Sequence, residues 1–190
     1  MIRFFYAFYK SKFMNISDLS LFHQAIEAFH VDQAVCPNCH TKYSCTKFTS
    51  YSRNLITYEK KASVCHNISI PRVMCSSCGH THAILPDVLI PYSSYSLRFI
   101  LIVLRRYFLR STSIAELCEA FNISVSTLYA WIQLFHSQKE LWLGFLKDAE
   151  VSSSDFIKSF FSGYFSTESF FRTFQFSFMQ STFTTHYDSS

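Results

Sequence analysis

The sequence predicts an α+β chain in which a small β-rich unit, closed by paired cysteines, comes before a run of helices. Two CxxC pairs, Cys36/Cys39 in "CPNCH" and Cys75/Cys78 in "CSSCGHTH", bracket residues that alternate like strands. From about residue 93 to residue 136, apolar side chains recur at helical spacing behind serine caps. Only 3 glycines and 4 prolines in 190 residues leave too few turn formers for an all-β sandwich.

A chain that is 49% hydrophobic and 16% charged can bury a core and is not disordered as a whole. Its length suits one compact unit or two small ones. Seven cysteines, an odd number, would leave one thiol outside a fully paired disulfide set. The apolar stretch between Arg3 and Lys10 falls short of the roughly 7 to 15 residues of a signal-peptide core. The run Phe99 to Leu104 is far below the roughly 20 residues that span a bilayer. A reducing, cytoplasmic setting with no membrane partner is therefore expected, and CxxC pairs there mean metal or redox chemistry more often than structural disulfides.

Residues 1–34 read as a helical or extended lead segment, and residues 35–92 as a zinc ribbon. Each CxxC turn can offer two thiolates to one metal, so Cys36, Cys39, Cys75 and Cys78 complete a tetrahedral, closed, structural Zn2+ site. The insert between the pairs fits that layout, because "YSRNLITYE" and "NISIPRVMC" are strand-like and place Ile68, Ile70, Arg72 and Met74 on one face. A thioredoxin-type redox reading lacks the βαβ pattern it needs. His40, His66, His80 and His82 lie close enough in sequence to stand in as ligands; His80 and His82 are expected to face solvent or to donate hydrogen bonds to the site. Cys45, Cys65 and Cys118 have no partner at knuckle spacing and read as small buried hydrophobes.

Residues 93–145 form a helical region containing a helix-turn-helix at 111–136. Ser93 or Ser94 can cap a first helix running to about Arg110, with Leu97, Ile100, Leu101, Leu104 and Phe108 inward and Arg98, Arg105, Arg106 and Arg110 on the other face. Ser113 and Glu116 make a capping box for a short helix striped by Ile114, Leu117 and Phe121. Asn122 tolerates the left-handed turn that follows. Ser124 then caps a second helix whose Val125, Leu128, Trp131, Ile132 and Phe135 point inward, leaving Ser126, Thr127, Tyr129, Ala130 and Gln133 to reach bases in a major groove. Any αα-hairpin shares this outline.

Charge is divided unevenly along the chain. Residues 1–110 hold 13 Lys+Arg against 5 Asp+Glu, a net of +8, and the remainder hold 4 against 8, a net of −4. Phosphate contacts supply most nonspecific affinity for DNA, so Lys60, Lys61, Arg72, Arg105, Arg106 and Arg110 are the phosphate candidates. The second helix, Ser124 to His136, has no lysine or arginine. The alternative for the arginines is a solvated helix face.

Residues 146–190 form an aromatic-rich, helical tail with 10 phenylalanines from Phe156 to Phe183. Phe156, Phe160 and Tyr164 share a helical face, with Phe161 and Phe165 beside it, whereas "FQFSF" alternates like a strand. Packing on the preceding helices and an oligomer or partner interface both suit such a tail; a membrane-surface role lacks a basic face. Asp148, Glu150 and Asp155 sit in a linker-like stretch, and nothing resembles a nuclease core, a glycine-rich phosphate loop or a nucleophile with its base. No enzyme activity is expected.

The combination of "CPNCH", "YSRNL", "ISIPRVMCSSCGHTHAILPDVLIPYSSYS" and the helix-turn-helix after it resembles a zinc-ribbon family of low-GC bacteria, a domain of unknown function with transposase-like members. The resemblance covers Val35 to Phe135 and extends to "SFMQSTFTTH". It implies a metal-bound, DNA-associated protein without an established reaction. The expected function is zinc-dependent binding of double-stranded DNA, as a mobile-element accessory or small regulator. The alternatives are a zinc-stabilised protein interaction module and a non-catalytic transposase remnant.

Overall fold

The computed structural model describes residues 1–4, 16–110, 112–146, 151–162 and 165–181. In chain order the elements are β1 (Ile2–Phe4), α1 (Asp18–Glu27), a 3-10 turn (Val31–Gln33), β2 (Cys45–Glu59), β3 (Ala62–Cys75), β4 (Thr81–Pro86), α2 (Leu97–Phe108), α3 (Ile114–Phe121), α4 (Val125–Leu146), α5 (Ser153–Ser162) and α6 (Thr167–Phe174). This is the mixed α+β chain expected, with strands first and helices after them. Asp148, Glu150 and Tyr164 lie outside the described residues, as does the end of the chain beyond residue 181.

The sheet has the order β1-β4-β3-β2; β2, β3 and β4 run antiparallel and short β1 joins β4 in parallel. Most of it is one long ribbon, β2 with β3, paired from Cys45/Cys75 at one end to Glu59/Ala62 at the other. Ile68 and Ile70 share a buried face, packing with Leu55, Leu85, Leu89 and Phe22 of α1. Beyond Pro71 the buried side changes: Val73 and Cys75 turn inward with Cys36, Cys45 and Ile84, while Arg72 and Met74 are half-buried. The alternation of Ile68, Ile70, Arg72 and Met74 therefore holds as a pleat but not as a core face. Phe22 of α1 packs in the first of these clusters, and Ile26 of the same helix reaches both. An extra residue in β2, at Phe48, keeps both Cys45 and Leu55 inward across the change.

The far end of the ribbon packs on the helices. Tyr58 lies 4.6 Å from the Phe121 ring and 6.4 Å from the Phe99 ring, centroid to centroid. Ile56 donates to the Ser94 carbonyl at 2.7 Å and accepts from the Ser96 N–H at 3.0 Å, so residues 94–96 extend along β2 before any helix can start. That pairing moves the α2 cap from the expected Ser93 or Ser94 to Ser96, whose hydroxyl accepts from the Phe99 N–H. Ser96 also donates to buried Asp18 at 2.5 Å, joining the start of α2 to the start of α1.

α2 is buried on nearly every side, with Phe99 and Val103 joining the expected apolar set. Its arginines consequently form no continuous solvated stripe. Arg98 lies 3.7 Å from Asp18 and donates to the Ile16 carbonyl at 2.6 Å. The expected capping box, Ser113 with Glu116, is present on α3, and Asn122 takes the left-handed conformation with φ 50°. Leu128, Trp131, Ile132 and Phe135 of α4 are buried, but Val125 is 46% exposed, because it sits in the first turn ahead of the packed stripe. α4 runs on past His136 to Leu146.

The tail folds back on that longer helix. Phe156, Phe160, Phe165, Phe170 and Phe178 join Phe135 and Trp142 in the main core, with Phe160 and Phe165 stacked at 3.9 Å. "FQFSF" is not a strand: Phe174 ends α6, Gln175 turns left-handed at φ 62°, and Phe178 and Met179 sit in a turn. Buried Gln138 of α4 fastens that turn, accepting from the Met179 N–H at 2.5 Å and donating to the Gln180 carbonyl at 2.9 Å.

Candidate functional site

The ligand atoms of Cys36, Cys39, Cys75 and Cys78 all lie within 4.8 Å of one another. The two cysteine turns repeat one geometry. The N–H of His40 bonds to the Cys36 carbonyl at 2.9 Å and that of Gly79 to the Cys75 carbonyl at 2.8 Å. His40 and Gly79 both take positive φ, 59° and 71°. The N–H groups of Cys36 and Cys75 close the turns on the carbonyls of Thr41 and His80. Such turns aim backbone N–H groups at sulfur: Cys39 and Asn38 donate to Cys36, and Cys78 and Ser77 to Cys75.

Across the turns, Cys36 Sγ is 3.7 Å from Cys78 Sγ, and Cys39 Sγ is 3.7 Å from Cys75 Sγ. A zinc ion about 2.3 Å from four thiolates at tetrahedral corners sets sulfur–sulfur edges of roughly 3.8 Å, so the spacing fits. These four thiols can hold a metal ion such as zinc. The set is closed, with no protein position left for a reacting water.

Hydrogen bonds favour the thiolate at Cys75 and Cys39, whereas the Cys36 thiol is held above its ordinary range. The Ser44 hydroxyl lies 3.2 Å from Cys75 Sγ. That contact, with the N–H groups of Cys78 and Ser77 and despite burial, brings the Cys75 thiol down to about 6. Stability drawn from this thiolate is present above the ordinary thiol range and is lost as pH falls through about 6. Thr41, through its hydroxyl and then its backbone, lowers the Cys39 thiol. Cys45, paired in register with Cys75 and buried, is pushed the other way by desolvation and stays a thiol. Cys118 is buried as expected; Cys65 is exposed, on the outward side of the ribbon.

His82, 6% exposed, sets Nε2 3.3 Å from Cys36 Sγ, whereas His80 stays at the surface against Asn38. The Met1 amino group lies 3.4 Å from His82 Nδ1, so Nε2 is the ring nitrogen that faces the ligand sulfur, and burial holds the ring below the usual histidine value. Partners of this kind orient ligands and tune affinity. Replacing His82 with alanine should weaken zinc binding by about 10- to 100-fold in competition with a chromogenic chelator. Unchanged affinity would make the contact idle. Ser44 and Thr41 were not foreseen; a hydroxyl near a ligand cysteine is too common in sequence to stand out.

The candidate phosphate contacts divide into free and engaged groups. Lys60 and Lys61 form the exposed turn of the β2–β3 hairpin. Arg110 is exposed just ahead of α3. Arg105 is exposed, with its guanidinium 5.8 Å over the Phe161 ring. Arg106 is half-buried: it donates to the Tyr58 hydroxyl at 3.1 Å and lies 4.9 Å over the Phe121 ring. Arg72 is half-buried and bonded to Thr81. Arg106 and Arg72 thus serve the fold first. On α4, Ser126, Tyr129 and Gln133 are exposed; Thr127 is half-buried, and the hydroxyls of Ser126 and Thr127 each lie 2.8 Å from the capping Ser124 hydroxyl. Gln133 lines a cleft with Ala130, Trp131 and the 85% exposed Tyr92. Among the described residues no helix is long and apolar enough to cross a membrane.

Comparison with curated proteins and with solved structures gives no match. A family model described as a domain of unknown function (DUF6431) matches residues 36–131. The match opens on the first cysteine of the cluster and closes on the buried tryptophan of α4, taking in both cysteine turns, the ribbon, α2 and α3; the chain belongs to this family.

Proposed function

We propose that this protein is a zinc-stabilised module that binds double-stranded DNA, with the cysteine cluster as a structural zinc ribbon and α3–turn–α4 as a helix-turn-helix. One observation carries the reading: behind a capped α3 and a left-handed Asn122, α4 buries Leu128, Trp131, Ile132 and Phe135 and leaves Ser126, Tyr129, Ala130 and Gln133 outward. That is the division of faces a recognition helix needs. A mobile-element accessory or a small regulator is the role we assign to such a module. Against it, and in favour of a zinc-stabilised protein interaction module, stands the lack of any lysine or arginine from Ser124 to His136.

Zinc-loaded protein titrated against random duplex DNA separates the two. A DNA-binding module should show affinity falling with salt at a log–log slope of about −0.9 per phosphate contact. Gln133→Ala should relax preference at one base position, costing roughly 1 to 3 kcal/mol on a selected site and little elsewhere. Salt-independent or absent binding would favour the interaction module.

A further inference from the structure

The neutrality of α4 leaves the source of phosphate affinity open, and the ribbon's far end stands where such affinity is needed. The Ser63 hydroxyl donates to the Phe121 carbonyl at 2.7 Å, at the last residue of α3. Tyr58 lies against the Phe121 ring, and Arg106 of α2 spans the two rings, 5.5 Å over Tyr58 and 4.9 Å over Phe121. These contacts fix the hairpin against the end of α3, immediately before the Asn122 turn that starts α4. Lys60 and Lys61 are the two residues projecting beyond that joint, and both are exposed.

Their backbone is the second observation. Lys60 and Lys61 both take positive φ, 49° and 66°, in a two-residue hairpin turn. Such turns favour Asn-Gly, because a Cβ crowds the backbone at φ > 0, which glycine avoids and the short polar side chain of asparagine tolerates. Two consecutive lysines are a disfavoured pair for such a turn, and they place two exposed cations at its tip. Between residues 34 and 86, Lys42, Lys47, Arg53, Lys60, Lys61 and Arg72 face a single acidic residue, Glu59, and that carboxylate accepts from Thr57 and lies 3.1 Å from His66.

We infer that the Lys60–Lys61 turn is a phosphate-gripping arm of the DNA surface, held beside the start of α4 by the docking of the hairpin on α3. This rests on the DNA-binding reading above. Arg110, exposed ahead of α3, lines a cleft with Ile114 of α3 and His136 of α4, so a second cation stands beside the helix pair. Arg106 acts in this as the clamp that positions the arm.

The test replaces the turn by the sequence its backbone prefers, Lys60→Asn with Lys61→Gly, in the full zinc-loaded chain. The variant should unfold at no lower temperature than wild type, yet its log–log slope of duplex affinity against salt should shrink by up to about 1.8, two contacts at about 0.9 each. Lys60→Gln with Lys61→Gln, which leaves the turn's backbone demands unchanged, should shrink it equally. A control removes the same charge roughly 40 Å along the strand, at Lys42 and Lys47 near the cysteines, and should change the slope less. Wild-type binding with an unchanged slope in both arm variants, or an equal loss in the control, would overturn the arm and leave the DNA reading standing. Wild-type protein that binds no duplex would remove the DNA reading, and the arm with it.

Discussion

Cys75→Ser should lose its metal and the folded ribbon together, whereas wild-type protein should hold about one equivalent of zinc. Cys75 is fully buried, sits 3.7 Å from Cys39 Sγ and 3.2 Å from the Ser44 hydroxyl, and accepts from the N–H groups of Cys78 and Ser77. Serine there cannot supply a thiolate, and the donors aimed at sulfur would be left around a smaller, neutral oxygen. The loss is large because the core at this end is small: Ala34, Cys36, Cys45, Val73, Cys75 and Ile84 make up its buried cluster. Structural zinc supplies folding free energy on the order of 10 kcal/mol in small domains, more than such a cluster can replace. Metal content by mass spectrometry, with limited proteolysis between residues 36 and 80, reads both effects. Cys118→Ser, on the far side of the molecule in the helical core, should keep full zinc. A Cys36/Cys75 double variant that retained stoichiometric zinc would end the four-cysteine assignment.

The cysteine cluster and the helix pair could be read in the sequence because both depend on local chemistry. A CxxC turn carries its geometry within a few residues, and so do the Ser113/Glu116 box and the Asn122 turn. Non-local choices were not readable. Nothing in "RRYF" tells Arg106, which lies across two aromatic rings from β2 and α3, from Arg105, which stays exposed. The cap at Ser96 rather than Ser93 follows from pairing with Ile56, 40 residues earlier in the chain. Likewise, among the described residues no strand pairs with "FQFSF", and buried Gln138 fastens the segment in a turn instead. In each case a tertiary partner decided between local conformations of similar intrinsic preference.

Phe178→Ala should destabilise the helical half by about 3 to 5 kcal/mol, the range for emptying a buried aromatic site. Phe178 is 1% exposed, and its ring centroid lies 4.9 Å from Phe160, 5.1 Å from Phe165, 5.2 Å from Phe170 and 6.2 Å from Phe135. Those neighbours come from α4, α5, α6 and the connection between them, so no single shift can close the cavity. The adjoining turn is also pinned by Gln138, which keeps the backbone from following a collapse. Phe161→Ala, at a half-buried position under Arg105, should cost much less. The measurement is the denaturant midpoint of the full chain with its zinc bound, followed by tryptophan fluorescence, because Trp142 packs on Phe165 and Phe170 in the same cluster. If the tail instead kept its aromatics for a partner, Phe178→Ala would leave the midpoint unchanged and lower only the self-association seen by sedimentation. A loss of several kcal/mol at constant zinc content makes the tail part of the core that carries α4, and so part of what holds the α4 face in place.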